Sequence, residues 1–289
     1  MRIAVIGSTG QLGTDLMKTL GTEHDVIGLT HADIEVSDYQ SCLILKDYQP
    51  GVIVNTAAFH KTDSCEDESL KTFCVNALGA RNVALISKDL GSVNVCISTD
   101  YVFDGSKEEP YTEDDCPAPI NTYGISKLAA EHFTKLSPKY YVLRIASVFG
   151  VAGASGKSGN FVETMIKKAK NNEQIDVVNN MWMSPTYAKD AATILKGMLE
   201  LKVPFGVYHA TNKGYCSWYQ FAKQIFEFTG LTPILKPIKR DPDYGKARRP
   251  PFSALNSSKL SQYNLEPRGW KAALWAYLLE KGHIMKGSS

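Results

Sequence analysis

The first thirteen residues constrain the fold more than any later segment. Met1 to Ile6 (MRIAVI) is a short apolar run without helical period, which reads as a strand buried on both faces of a parallel sheet. It runs into Gly7-Ser8-Thr9-Gly10-Gln11-Leu12-Gly13, and apolar residues at helical spacing follow at Leu16, Met17 and Leu20. Strand, glycine-rich turn and helix in that order point backbone N–H groups at an anion, and a pyrophosphate is the group such a turn cradles. The spacing is GxxGxxG rather than GxGxxG, so the weight rests on the strand–turn–helix context.

The alternation continues. Asp25–Leu29, Gly51–Asn55, Val93–Ser98 and Tyr141–Ala146 are apolar, β-branched runs, and Ser69–Asp89 carries apolar residues at helical spacing. This pattern predicts an α/β fold, a Rossmann-type doubly wound parallel sheet over residues 1–150. Beyond that point the alternation loosens, with a Gly/Ser-rich stretch at Gly153–Gly159 and many prolines from Pro233 to Pro251. Residues 151–289 are therefore expected to form a smaller substrate-binding region over the sheet edge, its chain interleaved with the first domain.

Bulk properties exclude several classes. With 32 basic and 30 acidic residues, the charge balance implies no nucleic-acid or membrane partner. The six cysteines (42, 65, 74, 96, 116 and 216) show no CxxC and no metal-type spacing. They read as reduced thiols, and no metal is expected. No apolar run reaches membrane-spanning length, and the N-terminus enters a strand directly, so a cytoplasmic location is expected.

Ligands of such sheets bind beyond the carboxyl ends of the strands. Asn55, Ala57 and Ala58 follow one strand, the small alanines permitting close backbone approach; Ser98-Thr99-Asp100-Tyr101 follows another. Further on, Tyr123 and Lys127 stand four apart in Tyr-Gly-Ile-Ser-Lys and share one face of a helix. An ammonium near a phenol is expected to lower the phenol's pKa and suit it to proton transfer, with the Thr99 hydroxyl bonding the oxygen that Tyr123 protonates.

These residues resemble the extended short-chain dehydrogenases and, within them, the dTDP-4-dehydrorhamnose reductases, over nearly the whole chain. The glycine turn matches at Gly7, Gly10, Gln11, Leu12 and Gly13; STDYVFDG stands at Ser98–Gly105, YGxSK at Tyr123–Lys127 and Ser-Pro-Thr at Ser184–Thr186. Ser217–Ala222 matches a Ser-Trp-Tyr-x-Phe-Ala segment, Ala247–Pro250 an Ala-x-Arg-Pro segment displaced by one residue, and Leu260 and Trp270 the C-terminal pattern. The resemblance implies hydride transfer from NADPH, with NADH admitted, to the 4-keto carbon of a nucleotide-linked 6-deoxyhexose. In that reading Tyr123 donates the proton, Lys127 holds the nicotinamide ribose and Thr99 bonds the carbonyl oxygen. Thr9 completes the pyrophosphate turn. Asp33 and Ile34 match an adenine-contacting position. Asp100, Tyr101, Ser147, Asn160 and Trp218 line the substrate site, and Arg249 takes the substrate's diphosphate.

The second strand ends Leu29-Thr30-His31 without a carboxylate, so a 2′-phosphate is expected to be tolerated near His31 and NADPH preferred over NADH. Ser147 stands where the family often carries tryptophan, which removes an apolar wall and points to a different sugar or nucleotide. Lys189 stands where some members hold magnesium between subunits, so no magnesium-bridged dimer of that kind is expected, although the resemblance leaves room for a homodimer. Two rivals share the motifs: an NADP-binding regulatory subunit of the methionine adenosyltransferase type, and a sugar-nucleotide epimerase or dehydratase. The intact Thr99, Tyr123 and Lys127 favour the reductase.

Overall fold

The computed structural model describes residues 1–153, 159–241 and 244–285. Residues 154–158 of the Gly/Ser-rich stretch and 242–243 of the proline-rich one lie outside the described residues. Five predicted strands form with shifts of a residue at their ends: β1 (Arg2–Ile6), β2 (Asp25–Leu29), β3 (Val52–Asn55), β4 (Val93–Thr99) and β5 (Tyr140–Ile145). With Gly206–His209 as a sixth, they make a parallel sheet in the order β2-β1-β3-β4-β5 and then Gly206–His209.

The order dictates where a ligand goes. β1 pairs with β2 on one side and β3 on the other, so consecutive crossovers leave β1 in opposite directions and open a crevice beyond its carboxyl end. The central strands are sealed on both faces: Ile3, Ala4, Val5, Ile53 and Val54 are fully buried. Helices Gln11–Leu20 and Ala188–Glu200 cover one face. Helices Gly79–Leu90 and Thr122–Thr134 cover the other, through Ala80, Cys96, Ala130 and Val142.

The predicted helical stretch Ser69–Asp89 is not one regular helix. It runs as Ser69–Phe73, a π-turn at Cys74–Leu78, and Gly79–Leu90. The buried Asn76 in the π-turn bonds the Phe59 amide and carbonyl and the Ser126 hydroxyl. A wide turn re-aims this one side chain at long-range partners, as such turns do beside functional sites.

A second core collects helices Phe161–Lys170, Trp218–Thr229 and Trp270–Glu280 around Phe149, Tyr187 and Phe221. Short parallel strands Ile175–Val178 and Leu235–Ile238 border it. The segment Pro251–Asn256 stitches the two cores together. Its backbone bonds Trp182 and Tyr111, and Leu255 N–H donates to Ser184 Oγ at 3.1 Å. Ser184 thus serves the junction.

Beneath the carboxyl end of β4 lies a buried ion pair. Arg144 forks onto Glu131 at 2.9 and 2.8 Å, and Ser98 donates to the same carboxylate. His209 is fully buried, and burial together with the Arg144 charge depresses its pKa to about 3. It therefore stays neutral, its Nδ1 bonding the Asn256 carbonyl at 3.1 Å while Nε2 faces Arg144 at 3.5 Å. Glu131→Ala strands the Arg144 charge and is expected to lower the unfolding free energy by about 3–5 kcal/mol. Replacing both partners with methionine should restore most of it. Urea denaturation of the three proteins checks this; equal loss in the single and double variants would contradict it.

Candidate active site

The glycine turn closes on itself with no room to spare. Gly7 has φ +78°, and a Cβ there would stand 2.5 Å from Thr56 Oγ1; a Cβ at Gly13 would stand 2.1 Å from the Gly7 carbonyl. The left-handed backbone and the helix–strand contact both require glycine. The helix Gln11–Leu20 begins at Gly10 without any side-chain cap. An uncapped helix start leaves N–H groups for an anion, so the chain's own residues fit a dinucleotide's pyrophosphate.

This turn forms one end of a cavity of about 970 Å³. Its lining brings together Gly7, Thr9, Gly10, Gln11, Leu12, Gly13, His31, Ile34, Ala57 and Ala58 with Thr99, Asp100, Tyr101, Tyr123, Lys127, Ser147, Asn160 and Trp218. Residues as far apart in the chain as Gly7 and Trp218 thus face one space.

At the far end, β4 delivers Thr99 and Asp100, and the helix Thr122–Thr134 delivers Tyr123 and Lys127. Asn121 starts that helix by accepting the Gly124 N–H at 2.8 Å, and Glu66 takes the Thr122 N–H at 2.9 Å and its hydroxyl. A Cβ at Gly124 would lie 2.1 Å from the Tyr101 carbonyl, so glycine alone lets the helix seat against the end of β4. Thr99 donates to Asp100 at 3.0 Å and accepts the Tyr101 N–H at 3.2 Å. The rings of Tyr101 and Tyr123 meet edge to face, centroids 6.1 Å apart.

The expected lowering of the Tyr123 pKa is corrected. Burial pushes its phenol above the ordinary range; interaction with Thr99 pulls it down, and the Asp100 charge raises it again. Desolvation of a phenolate outweighs the neighbouring lysine's expected effect. The phenol therefore stays an acid throughout the neutral range, the form a proton donor needs. Lys127 is itself only 4% exposed.

Three predicted residues lie off this cavity's wall. Asp33 Oδ2 accepts the Thr30 N–H at 2.8 Å and hydroxyl at 2.7 Å, while the neighbouring Ile34 lines the cavity. The Asn55 side chain accepts the Ala57 N–H at 3.0 Å and shapes the turn after β3. Arg249 instead lines a neighbouring cavity of about 310 Å³, with Arg240, Asp176, Trp182 and Ser253. Tyr101, Ser147, Phe161 and Trp218 belong to both cavities and form the passage between them. Ser147, at φ +44°, is its small member. Asn160 is spent on structure: it caps the helix Phe161–Lys170 and donates to the Gly150 carbonyl and Tyr277 hydroxyl, each at 3.0 Å.

The end of β2 carries no carboxylate of its own, but one approaches from further along the chain. Glu35, from the loop beyond β2, lines the cavity and lies 3.3 Å from His31 Nδ1. Arg240, Glu35, Glu66 and Asn76 were missed because none sits in a recognisable spacing. The turn residues after β2 were the only available signal, for Glu35.

Known proteins are similar to this chain in sequence and fold. The RmlD substrate binding domain family matches residues 1–282. The chain is 38% identical to the spore coat polysaccharide biosynthesis protein SpsK of Bacillus subtilis, covering 97% of this chain and 98% of that protein. It is 33% identical to a dTDP-4-dehydrorhamnose reductase of Aggregatibacter actinomycetemcomitans, over 94% and 97%. A crystal structure of the Bacillus anthracis dTDP-4-dehydrorhamnose reductase in complex with NADP superposes with a TM-score of 0.91 at 34% identity, over 96% and 99%. A Thermus thermophilus UDP-glucose 4-epimerase shares the fold alone, at 18% identity.

Asp100 is 3% exposed, and burial raises its pKa from 3.8 to about 6 against the opposing bonds from Ser253 and Thr99. The folded protein keeps this proton between about pH 4 and 6 while the unfolded chain releases it. Stability from this group is therefore full below pH 4, falls through that window and stays low above it. Asp100→Asn is expected to be more stable than the wild type at pH 8, by on the order of 1–3 kcal/mol, with the gap closing at pH 4. Equal stability differences at both pH values, measured by chemical denaturation, would contradict this.

Proposed function

The chain belongs to the RmlD substrate binding domain family, and on that premise we propose that it reduces the 4-keto group of a nucleotide-linked 6-deoxyhexose with NADPH, in the manner of a dTDP-4-dehydrorhamnose reductase. The observation that carries this reading is the convergence of an uncapped glycine turn and the Thr99–Tyr123–Lys127 set on one cavity. When bound, the nicotinamide cofactor supplies the hydride.

The chain's own residues do the rest. The helix start beyond Gly10 brings backbone N–H groups to the pyrophosphate, while the Gly7 and Gly10 N–H groups close the turn on the Leu29 and Gly7 carbonyls. Tyr123, held as a phenol by burial, gives its proton to the oxygen as negative charge develops there. Thr99, held between the Asp100 carboxylate and the Tyr101 amide, turns its one hydroxyl proton from Asp100 to the same oxygen in this reading. Lys127, one turn further on the same helix face, stabilises the phenolate in this reading as the proton leaves. Tyr101, Ser147 and Trp218 bound the sugar. Retention of this proton-donating set supports a reductase over a regulatory subunit that only binds NADP.

Absorbance of NADPH followed with dTDP-4-keto-6-deoxy sugars should show consumption. Tyr123→Phe should lower kcat at least about 100-fold, the lower range for a positioned acid, with NADPH binding retained. No turnover by the wild type across several 4-keto sugars would move the reading to the regulatory subunit. Cofactor choice gives a separate check. Glu35 stands on the wall where His31 was expected to accept a 2′-phosphate, so kcat/KM should favour NADPH over NADH by no more than about tenfold, or ~1.4 kcal/mol. A preference for NADH would overturn the NADPH assignment.

A further inference from the structure

The short helix Thr62–Asp67 contributes Thr62 to the main cavity's wall, and three of its carboxylates point elsewhere. Glu66 holds the start of the Tyr123 helix. Asp67 pairs with Lys246 at 2.6 Å, an exposed contact. Asp63 does something different: Oδ2 accepts Arg249 Nη2 at 2.7 Å, and Oδ1 accepts the Ala247 N–H at 3.1 Å. Arg249 Nη1 closes the ring by donating to the Ala247 carbonyl at 3.1 Å.

The surroundings are built for this pair. Gly245, at φ +99°, lies beside it, and a Cβ there would stand 3.2 Å from Arg249 Nη1 and 3.3 Å from Asp63 Oδ1. Arg249 is 22% exposed at its side chain and lines the second cavity with Tyr101 and Ser253. Arg240, on the same cavity, lies over the Tyr244 ring at 4.3 Å. Both guanidinium groups of this cavity are thus held in place by residues of the chain itself. A guanidinium loses less freedom on binding phosphate oxygens when one edge is already fixed.

We propose that Asp63 is a positioning residue for substrate binding: by gripping Nη2 of Arg249 while Nη1 donates to the Ala247 and Tyr244 carbonyls, it fixes the guanidinium so that its Nε edge is presented to the diphosphate of the incoming sugar nucleotide. This rests on the sugar-nucleotide reading above. It assigns the second cavity's affinity for the anion to a residue that touches neither substrate nor cofactor. Because the grip acts on binding remote from the carbonyl, it sets KM and leaves kcat nearly unchanged.

The test is calorimetric titration of the full-length protein with dTDP, alongside fluorescence titration with NADPH. For Asp63→Asn, the Kd for dTDP should rise about tenfold while that for NADPH stays within about twofold. KM for the sugar nucleotide should rise in parallel, with kcat within about threefold. Asp67→Asn, which frees Lys246 but leaves Asp63, should keep dTDP binding within about twofold. If the wild type binds dTDP and Asp63→Asn binds it equally, the positioning role is overturned and the reductase reading stands. Equal weakening of NADPH binding, or equal weakening by Asp67→Asn, would reduce Asp63 to a structural tether and overturn the proposal as well. If the wild type does not bind dTDP at all, the sugar-nucleotide reading falls first, and this proposal with it.

Discussion

A helix packed within one Cβ of a carbonyl oxygen cannot carry a side chain there, and this condition is met at both ends of the main cavity. A methyl group at Gly13 would stand 2.1 Å from the Gly7 carbonyl, and one at Gly124 would stand 2.1 Å from the Tyr101 carbonyl. The first contact seats the helix Gln11–Leu20 on β1; the second seats the helix carrying Tyr123 and Lys127 on the end of β4. Each helix presents its functional groups at a depth set by backbone-to-backbone contact, which side-chain packing does not vary. The sheet order adds the direction, since parallel strands bring all their carboxyl ends to one edge. Depth and direction together place a phosphate-facing turn and a proton donor on one cavity.

The same close packing makes the site expensive to hold. Asp100 is buried in it and Tyr101 half-buried, and both are pushed toward their neutral forms by loss of water. For Tyr123 this cost has a use, since a donor must still hold its proton when the substrate arrives. Asp100 offers no such return: it accepts from Thr99 at 3.0 Å and Ser253 at 2.5 Å. Its carboxylate orders a hydroxyl beside the reacting carbon and ties the segment Pro251–Asn256 to β4. One residue earlier, Ser98 anchors to the Glu131–Arg144 pair. The strand end therefore carries ordered polar contacts on both sides of Thr99.

How much of this was legible beforehand depended on the range of the interaction involved. The strands and the glycine turn were readable because their signals are local: apolar runs, and glycine where φ is positive or approach is close. The face shared by Tyr123 and Lys127 was readable for the same reason. The pKa of Tyr123 was not, because a four-residue spacing records a neighbour's charge but nothing of the burial that outweighs it. The bond by which the Asp33 carboxylate closes the turn begun at Thr30 was not announced by its motif. Asn76 and the π-turn around it answer to Phe59 and Ser126, partners no periodicity announces. Arg249 was recognised as a phosphate-binding type of residue, but its partner Asp63 lies 186 residues earlier in the chain.

The division into two cavities gives the separation of roles a physical basis. A keto sugar offers little surface, and groups binding it equally before and during reaction would not accelerate the step. A diphosphate has charge to spare and does not change during reduction of the sugar's carbonyl. On the proposed reading, holding it in the neighbouring cavity, through guanidinium groups already braced by Asp63 and Tyr244, places the affinity where nothing reacts. Tyr101, Ser147, Phe161 and Trp218 then form the passage through which the sugar must reach Thr99 and Tyr123. A small serine in a passage otherwise walled by aromatic rings leaves the width at that point to its neighbours. On this arrangement the choice of sugar belongs to the passage, and the chemistry to the strand end beyond it.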